Sequence, residues 1–320
     1  MSLIAKRETF TVAPEGDHSR LDSYLASILP NQSRSQIQKL IRAGLVTVDG
    51  DAVKTGYLLR AGQTIALEPM PETPSRPQPE NIPLEILYLD PHLAVINKPA
   101  GLVCHAGAGI RSATLVNALL YHIGDIDTGD PIRPGIVHRL DKRTSGLLVV
   151  ARTAAAHRTI ARQFKNREVR KEYLALTYGL PQPAAGTLDW PLGRDPKDRK
   201  KISVRGRRRR SAITHYTLER QYGPFSLLRV RIATGRTHQI RVHLSHFGHP
   251  VVGDRVYGRN QEHVLADSRL RAAVSAFDRY LLHACLLEFR HPVTGEKVSF
   301  ASELPPEFAG FLDFAKGISG

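Results

Sequence analysis

The 320-residue sequence predicts an α+β fold in two parts, and three observations predict it. Apolar segments of strand length outnumber helical patterns along most of the chain. Those segments do not alternate regularly with helices, which disfavours a doubly wound parallel sheet. PMPETPSRPQPE, residues 69–80, holds five prolines, which forbid a regular helix or central strand and read as an extended linker. It separates a module at residues 1–68 from a body at residues 81–320.

In the module, Leu21, Tyr24, Leu25, Ile28 and Leu29 recur at the i, i+3, i+4 spacing of an amphipathic helix, with Ser19 as its expected cap. A second helix is expected from Arg34 to Arg42 behind Ser33, with Ile37, Leu40 and Ile41 inward and Arg34, Lys39 and Arg42 outward. GLVTVDGDAV then alternates around Asp49-Gly50, a hairpin-turn signal, and RAGQTIAL closes the module as another strand. By spacing alone the charges either solubilise a small domain or form a binding face. The order SRLDSYLA, SRSQIQKLIRAGLVTVDG, LLRAGQTIAL resembles the S4-type RNA-binding module over residues 19–67. That resemblance implies a basic face toward structured RNA, with Arg20, Arg34, Lys39 and Arg42 as expected contacts.

In the body, LAVINKP, GLLVVA, EYLALTYG, ITHYTLE, SLLRVRI, LLHACLLEF and KVSF have strand length and β-branched or aromatic content. Helical patterns occur at ATLVNALLYHI, at AAAHRTIARQFKN and across residues 263–277.

Lys and Arg number 45 against 30 acids, for a net charge of +15. Such a field concentrates polyanions, with nucleic acid the first partner to expect and an anionic membrane surface the lesser alternative. No window offers the roughly 20 apolar residues of a spanning helix. MSLIAKRETFTV lacks the apolar stretch of a signal peptide, so a cytoplasmic protein without a membrane association is expected. Cys104 and Cys285 are too few for a disulfide framework or an all-cysteine zinc site.

Most familiar catalytic motifs are missing. There is no GxSxG elbow, no GxxxxGKS/T loop and no strand–GxGxxG–helix unit; GAGI at 107–110 is only a short glycine loop. TGRTHQIRVHLSHFGHP carries His238, His243, His246 and His249, but its arginines oppose a cation and it holds no acid, thiolate or HExxH, so no metal is expected. A glycosidase needs two opposed carboxylates, and after Asp141 no second acid follows until Glu168, though folding can bring distant acids together. GIVHRLDKRTSGLLVVA sets Asp141 among Arg139, Lys142 and Arg143, ahead of an apolar run. Neighbouring cations favour an ionised carboxylate, which suits either a structural ion pair or a nucleophile.

GIVHRLDKRTSGLLVVART closely resembles the signature of the RluA/RluD family of pseudouridine synthases. NKPAGLVCHAG (97–107), VRKEYLALTYG (169–179), ATGRTHQIRVHLSHFGHPVVGDRVYG (233–258) and LLHACLLEFRHPVTGE (281–296) continue the resemblance in chain order. It implies a mixed, mainly antiparallel sheet with flanking helices as a catalytic domain. It also implies an isomerase that converts uridine to pseudouridine, exchanging a C–N for a C–C bond without redox step, donor, metal or cofactor. By this resemblance Asp141 matches the catalytic aspartate, Tyr173 the tyrosine that stacks on a flipped-out base, and Arg241 the arginine paired with the aspartate. Arg139 matches the arginine that supports the displaced RNA, and an apolar wall is expected near Leu286. The family leans toward a glycal route with the proton taken from C2′; attack on C1′ or on base C6 are the alternatives. The expected partner is 23S rRNA or a pre-50S particle, and the expected state a monomer. The same reaction on tRNA or other 23S uridines, and a non-catalytic ribosome-assembly factor, stand as alternatives. GRDPKDRKKISVRGRRRR packs ten cations against two Asp, and Arg207, Arg208, Arg209 and Arg210 are expected along the RNA rather than on an idle loop.

Overall fold

The computed structural model describes residues 7–29, 32–68, 76–106, 112–124, 126–198, 201–258 and 261–319. The chain forms two compact units, Met1–Ser75 and Arg76–Gly320. Residues 69–75 of the expected linker and the loop at 107–110 lie outside the described residues. The end of the linker segment belongs to the larger unit. Asn117 Nδ2 donates to the Gln78 carbonyl at 2.7 Å, and the Glu80 carboxylate accepts from the Ala113 N–H at 3.1 Å.

The smaller unit runs β1 (Glu8–Thr11), α1 (Leu21–Ile28), α2 (Arg34–Arg42), β2 (Val46–Val48), β3 (Asp51–Ala52) and β4 (Thr64–Leu67). Its strands form an antiparallel sheet in the order β1-β4-β2-β3. The Asp49-Gly50 turn has both residues at positive φ, as a tight two-residue hairpin requires. Leu21, Leu25, Ile37, Leu40, Ile41, Val46 and Ile65 share one core, each such side chain contributing about 2 kcal/mol by burial. Helix α1 is capped at Arg20 and not at Ser19. Ser19 is held in backbone pairing, its N–H on the Gly16 carbonyl and its carbonyl accepting from Leu59, so the helix starts later than expected.

Asp22 is fully buried between the two helices. It accepts from Arg20 at 3.2 and 3.3 Å, from Arg34 at 3.1 and 3.2 Å, and from Gln38 at 2.6 Å. Two of the four arginine and lysine contacts expected on this unit therefore have their guanidiniums braced by one acid.

The larger unit runs β5 (Glu85–Leu89), β6 (Leu93–Lys98), α3 (Leu115–Ile123), β7 (Ser145–Ala151), α4 (Ala154–Asn166), β8 (Arg170–Tyr178), β9 (Ala185–Asp189), β10 (Leu192–Arg194), β11 (Ile202–Ser203) and β12 (Arg207–Arg210). It continues through β13 (Ile213–Tyr222), β14 (Phe225–Ile232), α5 (Gln239–His246), α6 (Ser268–Ala276), β15 (Leu282–Arg290), β16 (Lys297–Ala301) and α7 (Pro306–Ser319). Nine strands build one sheet in the order β5-β6-β7-β15-β8-β14-β13-β9, with β16 also on β15. Every pairing in it is antiparallel except β7 with β15. This is the mixed, mainly antiparallel α+β fold that the sequence predicts.

Burial raises the pKa of the Asp22 carboxyl, but the hydrogen bonds from Arg20, Arg34 and Gln38 outweigh it and hold the group well below its ordinary 3.8. A depressed folded pKa contributes stability that is full above the unfolded value and declines as the pH falls through it. The smaller unit is expected to become pepsin-sensitive between about pH 4 and about pH 2.5, and Asp22→Asn to be weakened at neutral pH with a flatter acid response. Equal pepsin profiles for the two proteins would remove Asp22 from the account.

Candidate active site

The parallel contact between β7 and β15 sets Ser145 beside His283 and Gly146 beside Ala284, which brings the beginnings of both strands together. Gly146 sits at φ +112°, and a Cβ there would meet the Ala284 carbonyl oxygen at 2.2 Å, so only glycine permits this approach. Asp141 lies in the turn entering β7, and Tyr280 lies just ahead of β15. On the other side β8 places Tyr173 opposite Ala284, and α5 follows β14 to bring Arg241 to the same point.

Arg241 donates from Nη1 to Asp141 Oδ2 at 3.0 Å. Its Nε and Nη2 donate to Asp254 at 2.7 and 3.0 Å, forming a two-pronged buried pair. Asp254 Oδ1 accepts in turn from the Val256 and Tyr257 N–H groups at 3.0 and 3.1 Å. The guanidinium carbon lies 4.1 Å from the Tyr280 ring centroid and 5.0 Å from that of Tyr257. His238 Nε2 is 3.9 Å from Asp141 Oδ2, while its Nδ1 bonds the Tyr257 hydroxyl at 2.8 Å. Burial pushes the His238 imidazole down, against the pull of Asp141.

The turn carrying Asp141 is tied from behind. Lys98 is fully buried and donates to the carbonyls of Pro99, Leu102 and Lys142 at 2.7, 2.9 and 3.3 Å. Burial pushes its ammonium down to about 8. Cys104 Sγ donates to the Leu140 carbonyl at 3.3 Å. His138, pushed down to about 3 by burial, is a neutral ring whose Nε2 accepts from the Val149 N–H at 3.1 Å. It stacks on Phe164 with centroids 4.5 Å apart.

Asp141 opens into a cavity of about 500 Å³, within the usual size of ligand sites. Leu140, Tyr173, Ile232 and Leu282 give it apolar walls, while Arg139, Lys165, Arg167, Lys171 and Arg236 line it with cations. Arg139 is exposed and Tyr173 is 7% exposed. The expected wall at Leu286 is corrected: Leu286 does not line the cavity, and Leu282 does. The register shift between Ala284 and Leu286 breaks the alternation of β15, so the reach from 282 does not extend to 286. Tyr280 and the cations of the α4–β8 connection were missed in the sequence; the run NREVRKEY held the signal for the latter.

The other expected residues lie elsewhere. Arg20, Arg34, Lys39 and Arg42 are exposed on the smaller unit. Arg207, Arg208, Arg209 and Arg210 form β12, exposed along its length, in a small sheet of order β11-β10-β12. The histidines of the α5 region are engaged separately: His243 with Thr214 and the Trp190 carbonyl, His249 with the Tyr178 carbonyl, His246 edge-on to Trp190. Among the described residues no group of three or more His, Cys, Asp or Glu is placed to hold a metal ion, and no helix is long and apolar enough to cross a membrane.

Residues 92–246 match the family model of RNA pseudouridylate synthase, and residues 19–65 match that of the S4 domain. The chain is 46% identical over 299 residues to an uncharacterized RNA pseudouridine synthase of Aquifex aeolicus, covering 92% of this chain and 93% of that one. It is 43% identical over 289 residues to the ribosomal large subunit pseudouridine synthase D of Xanthomonas campestris pv. campestris, covering 90% and 86%. Among solved structures it is similar to human RNA pseudouridylate synthase domain containing 1, with a TM-score of 0.56, 29% identity and coverage of 74% and 89%. With the S4 module, the long motifs and relatives matched almost end to end, the chain belongs to the RNA pseudouridine synthase family and is an isomerase of RNA.

Proposed function

We propose that the chain isomerises uridines of large-subunit ribosomal RNA, with Asp141 as the catalytic carboxylate and the target base flipped out of its stack. The observation that carries this reading is the position of Asp141: one oxygen bound by Arg241, in a cation-lined cavity with an aromatic wall. A base inside a helix is out of reach of a carboxylate in such a recess, so it must leave its stack to react. Tyr173 offers its ring to that base, and the exposed Arg139 stands at the mouth where the displaced strand passes. Apolar walls at Leu282 and Ile232 limit water while the glycosidic bond is open. The N1–C1′ bond breaks, the base turns, C5 bonds C1′, and the C5 proton leaves as N1 takes one up. The choice of ribosomal RNA is supported by relatives named ribosomal large subunit pseudouridine synthase D in Xanthomonas campestris and Pseudomonas aeruginosa, 43% and 41% identical. The exposed cations of β12 and of α2 suit phosphate contacts along a structured RNA.

Tritium release from RNA labelled at uridine C5 is expected with wild-type protein and at least about a thousand-fold less with Asp141→Asn. Equal release from both proteins would sink the assignment of Asp141. Release from a transfer RNA transcript, with none from a large-subunit ribosomal transcript, would move the substrate to tRNA.

Replacing Arg207, Arg208, Arg209 and Arg210 together with Ser is expected to weaken RNA binding. The slope of log affinity against log salt should flatten by up to about 3, since each phosphate contact adds about 0.7–0.9. A filter-binding salt series reads both; unchanged affinity and slope would take β12 off the RNA.

A further inference from the structure

The two oxygens of Asp141 are not equivalent. Arg241 Nη1 at 3.0 Å, Tyr280 Oη at 3.2 Å and His238 Nε2 at 3.9 Å all converge on Oδ2. Among the described residues Oδ1 receives no hydrogen bond. Tyr280 is 4% exposed and does not line the cavity, so it reaches the chemistry only through the aspartate. Its hydroxyl is itself oriented: Thr144 Oγ1 donates to Tyr280 Oη at 3.3 Å, which leaves the phenolic hydrogen for Asp141. The same ring lies 4.1 Å from the Arg241 guanidinium, covering the other donor.

We infer that Tyr280 is a positioning residue that, with Arg241, locks the rotation of the Asp141 carboxylate so that Oδ1 is the oxygen presented to the substrate. This rests on the reading of Asp141 as the catalytic group. Two donors on one oxygen, approaching from the segment ahead of β15 and from α5, define the carboxylate plane where one donor would leave it free to turn. Ordering one acceptor saturates Oδ2 and confines the reactive lone pairs to the cavity side. Burial, and then the charge of Asp141, push the Tyr280 hydroxyl upward, so it keeps its proton and acts as a donor throughout the working range.

The test is Tyr280→Phe, which keeps the ring over Arg241 and removes only the hydroxyl. Single-turnover tritium release from C5-labelled large-subunit ribosomal transcript is measured, with RNA affinity measured separately. Expected are a roughly ten-fold slower step and unchanged RNA affinity, because a carboxylate held by one donor instead of two turns more freely without loosening the RNA. Thr144→Val, which removes the hydroxyl orienting Tyr280, is expected to slow the step by less, again with unchanged RNA affinity. A Tyr280→Phe protein with the wild-type rate, or one slowed only as far as its RNA affinity falls, while Asp141→Asn is inactive, overturns the proposal. An active Asp141→Asn overturns the catalytic reading and the proposal with it.

Discussion

One guanidinium has to satisfy two carboxylates. Arg241 is almost wholly enclosed, and a buried cation is tolerable only where its charge is balanced and its donors are used. Asp254 takes two of its nitrogens and is itself pinned by the N–H groups of Val256 and Tyr257. Of the three N–H groups left, one on Nη1 is aimed by that pairing at Asp141. The position of the aspartate in the β7 turn is thus set by a loop more than a hundred residues away. Losing one member of such a buried set leaves an uncompensated charge, at a cost of about 3–5 kcal/mol. Much of the larger unit serves this contact: the close passage of Gly146 past Ala284, the exit of β14 into α5, and the packing of Val242 with Leu192 under the small sheet that bears β12.

Seven strands of the larger unit were legible because their apolar runs are long and bounded, and each segment read as strand overlaps one; β5 and the short β9 to β12 carry no such run. Helix α5 was not read as a helix. Gln239, Ile240, Arg241, Val242, His243 and Leu244 are all buried, so polar and apolar residues alternate around an enclosed helix and no apolar stripe marks it. Helix α7 had the ordinary signal in Phe308, Phe311, Leu312 and Ala315, at helical spacing, and it was overlooked. At the site, a family resemblance pointed to Asp141, Tyr173 and Arg241 together, which charge and spacing alone did not separate from an ion pair. Tyr280 escaped because no local pattern marks a phenol whose partner is 139 positions away. The resemblance implied a wall near Leu286, whereas Leu282, on the near side of the register shift in β15, lines the cavity.

The charge of the chain is not spread evenly with respect to function. The cavity gathers Arg139, Lys165, Arg167, Lys171 and Arg236 around a single acid, while the arginines of β12 extend the same sign along an exposed strand. Lys171 is desolvated enough to be pushed down to about 8, with Phe164 under its ammonium at 5.3 Å. Such a cation gains from an approaching phosphate more than a hydrated one does, because the desolvation has already occurred. In the smaller unit the opposite device is used: Asp22 holds Arg20 and Arg34 in place, half-exposed, so their stems are ordered before RNA arrives.

Lys98 holds the aspartate's turn through three main-chain oxygens and no side chain. A tether of that kind is indifferent to which residues it clasps, provided the backbone keeps its path. The exposed side chain at 142 is therefore released from the duty of shaping the turn. Sequence drift there can retune the exposed surface while the carboxylate stays where it is: the anchoring and the tailoring of this surface are written in different atoms of the same residue.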